Sequence, residues 1–126
     1  MSKKLSGLLL IGLSVGIGAS VFAEPTKVTG VLVDQMCYTK DHANTTNAHK
    51  GMSATCAQDC AKKGMPVALV TEKGDVFEVM AMGDLAGEKN AKLVPHMSHT
   101  VTLTGEVAEM NGKKMIHATS LAMVSK

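Results

Sequence analysis

Hydrophobic positions along this chain fall into three regimes. The first is continuous. Leu5 to Ser20 is an uncharged, apolar, Gly-rich run, preceded by Lys3 and Lys4 and followed by Val21-Phe22-Ala23. A short positive start, an apolar run and small residues before a cut are the parts of a secretory signal peptide. Residues 1–23 are therefore expected to be removed between Ala23 and Glu24. The run, about sixteen residues, falls short of the ~20 that a spanning helix needs. No stable membrane anchor is expected after cleavage, and with no cysteine near the cut no lipid attachment is expected either.

The second regime alternates. In Thr26 to Asp34, Val28, Gly30 and Leu32 share one face and Val31 and Val33 the other, which suits a strand covered on both sides. Val67 to Thr71 and Val76 to Met80 predict a hairpin around Glu72-Lys73-Gly74-Asp75. Val101, Leu103, Gly105 and Val107 alternate with Thr100, Thr102, Thr104 and Glu106 in a half-buried strand. Asn111-Gly112 turns that strand into a partner, Met115 to Met123.

The third regime has no strand period. Gln35 to Met52 is polar and rich in Asn, Thr and His, and reads as one long loop. Ser53 then starts a helix that Ser53 or Thr55 can cap and that Ala54, Ala57 and Ala61 favour. Lys62 and Lys63 suit its negative end, Gly64 supplies a left-handed stop, and Pro66 closes it. A short helical segment is expected from Leu85 to Leu93.

The sum is a mainly β fold: a small five-stranded OB-like barrel, with one helix after strand 1 and a short helix between strands 3 and 4. Gly30 and Gly105, mid-strand, mark sharp bends of the kind barrels need. A small open sheet packed on one helix is the alternative. Residues 24–126 make a single domain.

Composition limits what this domain can be. With two Phe, one Tyr and no Trp in the chain, the core must come from Val, Leu, Met and Ala around Phe77. Met80, Met82, Met115 and Met123 fit strand faces and are expected to fill it. A core so small gains from a disulfide or a metal. The formal net charge of +2 falls to near zero once Lys3 and Lys4 leave. Neither nucleic acid nor an acidic membrane surface is therefore an expected partner. The expected location is the periplasm or the cell exterior, where another periplasmic protein is the kind of partner to look for.

That compartment gives the cysteines their meaning. The chain has three, Cys37, Cys56 and Cys60, and an odd number cannot all pair internally. Cys56 and Cys60 lie one turn apart on one helix face, with Cβ atoms about 5–6 Å apart. A disulfide wants roughly 3.5–4.5 Å, so Cys37 paired with Cys56 or Cys60 is the favoured bridge. It would close a loop of about 20 residues, worth ~3 kcal/mol. The sharper reading is a metal site: three sulfurs for Cu(I), or for zinc with a fourth ligand. His42 and His49 from the loop, or His96 and His99 before the fourth strand, are the candidate fourth ligands, and Met36 and Met52 offer flanking thioethers. A third reading is thiol redox chemistry, with Cys56 in the first turn of its helix exchanging with a Cys37–Cys60 disulfide. The Cys-x-x-Cys pair of the usual oxidoreductases is missing.

Other residues carry less. His96-Met97-Ser98-His99 follows Pro95 and reads as a surface connection, and His117 as a half-exposed strand residue. Asp34 and Asp41 lack a partner carboxylate or a Ser/His arrangement, so the chain reads as a binding protein rather than an enzyme. Asp34 is expected to end the first strand by bonding loop amides.

Gly30-x-x-x-Asp34-x-x-Cys37, a polar loop, then Cys56-x-x-x-Cys60 and Gly64 followed by two hairpins, resembles a family of small secreted bacterial proteins with an OB-like barrel. The resemblance covers nearly all of the chain after the signal segment. It implies the fold and carries no activity with it. The leading expectation is thus an exported binding protein for a soft transition metal, copper first. A disulfide-stapled structural or interaction module is the runner-up.

Overall fold

The computed structural model describes residues 25–45 and 55–125. The expected signal segment, His49, Met52 and Ser53 lie outside the described residues. Five strands close into a barrel: β1 (Thr26–Asp34), β2 (Val67–Val70), β3 (Val76–Ala81), β4 (Thr100–Met110) and β5 (Lys113–Ser125). Around the barrel they run β1-β2-β3-β5-β4, and β4 returns to pair with β1. Every pairing is antiparallel except β3 with β5, which is parallel. This is the mainly β, five-stranded OB-like barrel that the alternation predicts.

The barrel interior is aliphatic. Leu32, Leu69, Val101, Leu103, Ile116 and Ala118 are fully buried in one cluster, with Phe77 packed at its edge. Each large side chain there contributes roughly 1.5–3 kcal/mol of burial. On the outer face of β1 and β2, Val33, Ala68 and Val70 form a second cluster beneath Tyr38. The strand is covered on both sides near its end, as its residues require.

Two glycines allow the strands to close. A Cβ on Gly30 would stand 2.4 Å from the Val70 carbonyl oxygen, and one on Gly105 2.0 Å from that of His117. The β4–β5 register shifts between Thr104 and Gly105, so this glycine sits at the irregularity that bends the hairpin. At the tip, Asn111 and Gly112 both take positive φ, 52° and 77°, as a type I′ turn demands.

Several elements differ from expectation. The stretch after β1 is not loop from its first residue: Gln35–Lys40 is a helix, α1. One and a half turns leave no readable period, but Asp34 caps it, accepting a hydrogen bond from the Met36 N–H at 3.1 Å. The second helix, α2, spans Cys56–Lys62. The Leu85–Leu93 segment is not one helix. Three 3-10 turns, Gly83–Leu85, Glu88–Asn90 and Val94–His96, join β3 to β4, broken where Lys89 and Asn90 adopt φ of 49° and 58°.

The methionines also part from their expected roles. Met80, Met82 and Met123 are exposed, and so is Val107. Met80 points away from the buried Val79 on β3, and Met82 follows the end of β3. Val107 and Met123 lie where β4 and β5 extend beyond their pairing with β1 and β3. Met97 does the reverse. It is fully buried with Leu93 in the main core, so the His96-to-His99 connection is anchored through its middle. Among the described residues, no helix is long and apolar enough to cross a membrane.

Candidate metal centre

The site is built in the connection from β1 to β2, where α1 and α2 meet at one end of the barrel. It begins with Asp34. The last residue of β1, opposite Val67 of β2, it is also the N-cap of α1. The cap fixes where the helix starts, and so where its third residue, Cys37, projects. The Cys37 carbonyl accepts from the Asp41 N–H at 3.0 Å and the Asn44 side-chain amide at 2.9 Å. Those two bonds hold the far end of α1.

The second helix is seated by its alanines. Ala57 and Ala61, four apart, are buried in the barrel's main cluster. Cys56 and Cys60 repeat the same spacing one residue earlier, so they line the flank of the helix that faces α1. Thr55 occupies the N-cap position without capping; its hydroxyl donates instead to Asp59 at 2.8 Å. The C-terminus is more tightly specified. Gly64, at φ 83°, donates to the Ala61 carbonyl, and Met65 donates to that of Cys60, the paired bonds of a Schellman stop. From the 3-10 connection, Asn90 donates to the carbonyls of Ala61 and Met65 at 3.0 and 2.9 Å. The backbone of Cys60 is thereby held from both sides.

The result is a cluster. The sulfur atoms of Cys37, Cys56 and Cys60 all lie within 4.8 Å of one another. Cys56 is buried, Cys37 and Cys60 are partly so, and all three are free thiols. Sulfurs bound to one ion at ~2.3 Å stand about 4 Å apart, within reach of small side-chain rotations. Three clustered cysteines of this kind can hold a metal ion.

The thiols are poised to keep their protons. Burial, first of all, pushes Cys37 up to about 11 and Cys60 up to about 12, and the Asp34 carboxylate and Cys56 beside them push in the same direction. A bound cation reverses that balance, because it stabilises the thiolates that burial disfavours.

The described histidines stand apart from this cluster. Among the described residues, none of them joins the three sulfurs. His42 stacks on Tyr38, with ring centroids 4.7 Å apart. His96 turns its Nδ1 to the Met123 sulfur at 2.9 Å, and burial followed by the nearby His99 lowers its pKa. Nδ1 of His99 is buried without a hydrogen-bond partner. Met36 projects into solvent from α1.

One residue at the site escaped sequence reasoning in its full role. Asp34 was legible as a strand end that bonds amides, but not as the carboxylate beside the sulfurs. The available signal is Asp-x-x-Cys: an N-cap side chain reaches back over the second and third helical residues, and the third is Cys37.

Fold and site together define a small OB-like barrel with a three-thiol cluster that can hold a metal. Compared with known proteins, the chain matches no family model, no curated protein and no solved structure.

Proposed function

We propose that this protein is an exported, non-enzymatic binding protein for a soft transition metal, with Cu(I) the first candidate. Cys37, Cys56 and Cys60 are the ligands. The observation that carries the reading is the convergence of three sulfurs within 4.8 Å from two separate helices. A structural disulfide needs two of them and leaves the third without a use, whereas a thiophilic ion uses all three. The N-terminal pattern of Lys3, Lys4, an apolar run and Val21-Phe22-Ala23 supports export to the periplasm or beyond.

The test is a thiol and metal inventory. The mature protein is purified under argon, its alkylatable thiols are counted, and bound metal is measured before and after addition of Cu(I). One ion per chain, with all three thiols shielded from alkylation, is the expected result. Two thiols lost to a disulfide and no metal taken up would favour the stapled module instead.

A further inference from the structure

Asp34 is nearly inaccessible, with a relative exposure of 1%. Its Oδ1 is accounted for, since it accepts the Met36 N–H and caps α1. Oδ2 is not. It is buried and has no hydrogen-bond partner, an arrangement that ordinarily destabilises a fold. Buried polar atoms left in this state need an explanation, and an unplaced ion is one of the recognised ones. The neighbours that interact with this carboxylate are the thiols of Cys37 and Cys60. A cap needs one oxygen. The Cys37 and Cys60 thiols lie against the carboxylate, and no N–H or O–H group reaches its second oxygen.

We propose that Asp34 is the fourth donor of the three-cysteine cluster and that it decides which ion the site accepts. Asp34 lies beside the sulfurs without being one of the groups within 4.8 Å of one another. An ion that draws in its Oδ2 would make the site a four-coordinate centre of three sulfurs and one oxygen, suited to divalent zinc, whereas Cu(I) would use the thiolates alone. This rests on the reading of the cluster as a metal site, and it replaces the histidine that sequence alone offered as fourth ligand.

Charge and ligand softness give the reason. Zn(II) accepts thiolate and carboxylate ligands together in tetrahedral sites. On binding, it displaces the three thiol protons, and its double charge offsets half of the four negative donors. Cu(I) favours sulfur over a carboxylate oxygen. It offsets a single charge and leaves Asp34 as an additional buried anion beside the thiolates, an unfavourable neighbour. The same residue therefore helps one ion and hinders the other, so within the soft-metal reading it raises Zn(II) relative to the Cu(I) that the three sulfurs alone put first.

Asp34→Asn separates these effects. Asparagine caps a helix as well as aspartate, so α1 can keep its bond to Met36 while the charge is lost. Zn(II) affinity is measured by chelator competition, Cu(I) affinity likewise under argon, and Co(II) serves as the spectroscopic probe for the zinc geometry. Zn(II) binding is expected to weaken by about 100-fold or more, the upper end of what losing even an outer partner costs. Cu(I) binding is expected to hold or tighten, and the intense tetrahedral Co(II) bands of the wild type to be lost. Affinities for both ions that stay unchanged, or fall by one common factor, would overturn the assignment and leave Asp34 as a helix cap. In that event the wild type still binds metal and the proposed function stands. A wild type that binds neither ion overturns that function and this assignment with it.

Should Asp34→Asn fail to fold, zinc-edge X-ray absorption on the wild type decides. Three sulfur neighbours and one oxygen, without the outer-shell pattern of an imidazole, support Asp34. An imidazole in the fourth position overturns it.

Discussion

The sulfur of Cys37, on the third residue of α1, lies within 4.8 Å of the sulfur of Cys60, on the second turn of α2. Neither helix is long enough to be stable by itself. What brings the two atoms together is the frame around them: the Asp34 cap, the Ala57 and Ala61 face buried in the barrel, and the Gly64 stop. The cluster is thus a property of the folded barrel and not of a local cysteine motif, and this governs how it should respond to change.

Metal affinity should climb steeply with pH. Cys37 and Cys60 hold their protons to about 11 and about 12, so at neutral pH an incoming ion must displace both. With the proton of Cys56 also displaced, the three give an apparent binding constant that rises by up to about 1,000-fold per pH unit across the neutral range. Competition titrations at pH 6, 7 and 8 measure the slope. A pH-independent constant would show that these thiols are not the ligands.

Stability of the metal-free protein should move in the opposite sense at high pH. Burial raises both thiols above their ordinary 9.0, so the folded state binds these protons more tightly than the unfolded chain does. Their contribution is complete below about pH 9. It is lost as pH rises through about 11 to about 12, where the folded protein must accommodate buried thiolates. Urea midpoints at pH 8 and pH 10.5 should fall in that order, and Asp34→Asn, which removes one cause of the shift, should lessen the drop.

Asn90 should matter to both fold and site, although it touches no cysteine side chain. Asn90→Gly keeps the left-handed backbone but deletes the bonds to Ala61 and Met65. Two such hydrogen bonds are worth about 1–3 kcal/mol together, read from denaturant midpoints. Metal affinity should fall as well, because the second turn of α2 loses its clamp, while bound metal should restore part of the lost stability. An unchanged affinity would mean that Asn90 serves only the barrel.

Gly105→Ala tests barrel closure directly. The added methyl would meet the backbone of His117 at 2.0 Å, and backbone cannot step aside as a side chain can. Destabilisation at or above the usual ~3 kcal/mol ceiling for overpacking is expected. Gly87→Ala, whose nearest neighbour is the Ala91 methyl at 3.5 Å, should be tolerated and serves as the control.

How much of this could be read from the sequence follows from what each element depends on. The strands were legible because alternation at Leu32, Val101 and Leu103 reports burial directly, and Asn111-Gly112 specifies its own turn. The α2 stop was legible for the same reason, since Gly64 states its conformation locally. The first helix was not, because six polar and mixed residues carry no period and only the cap at Asp34 marks its start. Met80, Met82 and Met123 differ from their expected core role because alternation alone does not say which strand face turns inward or where a strand leaves the barrel. The convergence of the cysteines was legible as an option, through spacing and compartment. That His42, His96 and His99 would stand aside and a strand-ending aspartate would stand in depends on how two helices seat on the barrel end, which no local pattern encodes.

The central claim is that Cys37, Cys56 and Cys60 bind one soft metal ion together. Copper-edge X-ray absorption on the Cu(I)-loaded wild type tests it most directly, with Cys37→Ser, Cys56→Ser and Cys60→Ser measured alongside. A first shell of three sulfurs in the wild type, reduced in each single variant, is the predicted result. A shell of nitrogen or oxygen neighbours that none of the three substitutions alters would contradict it.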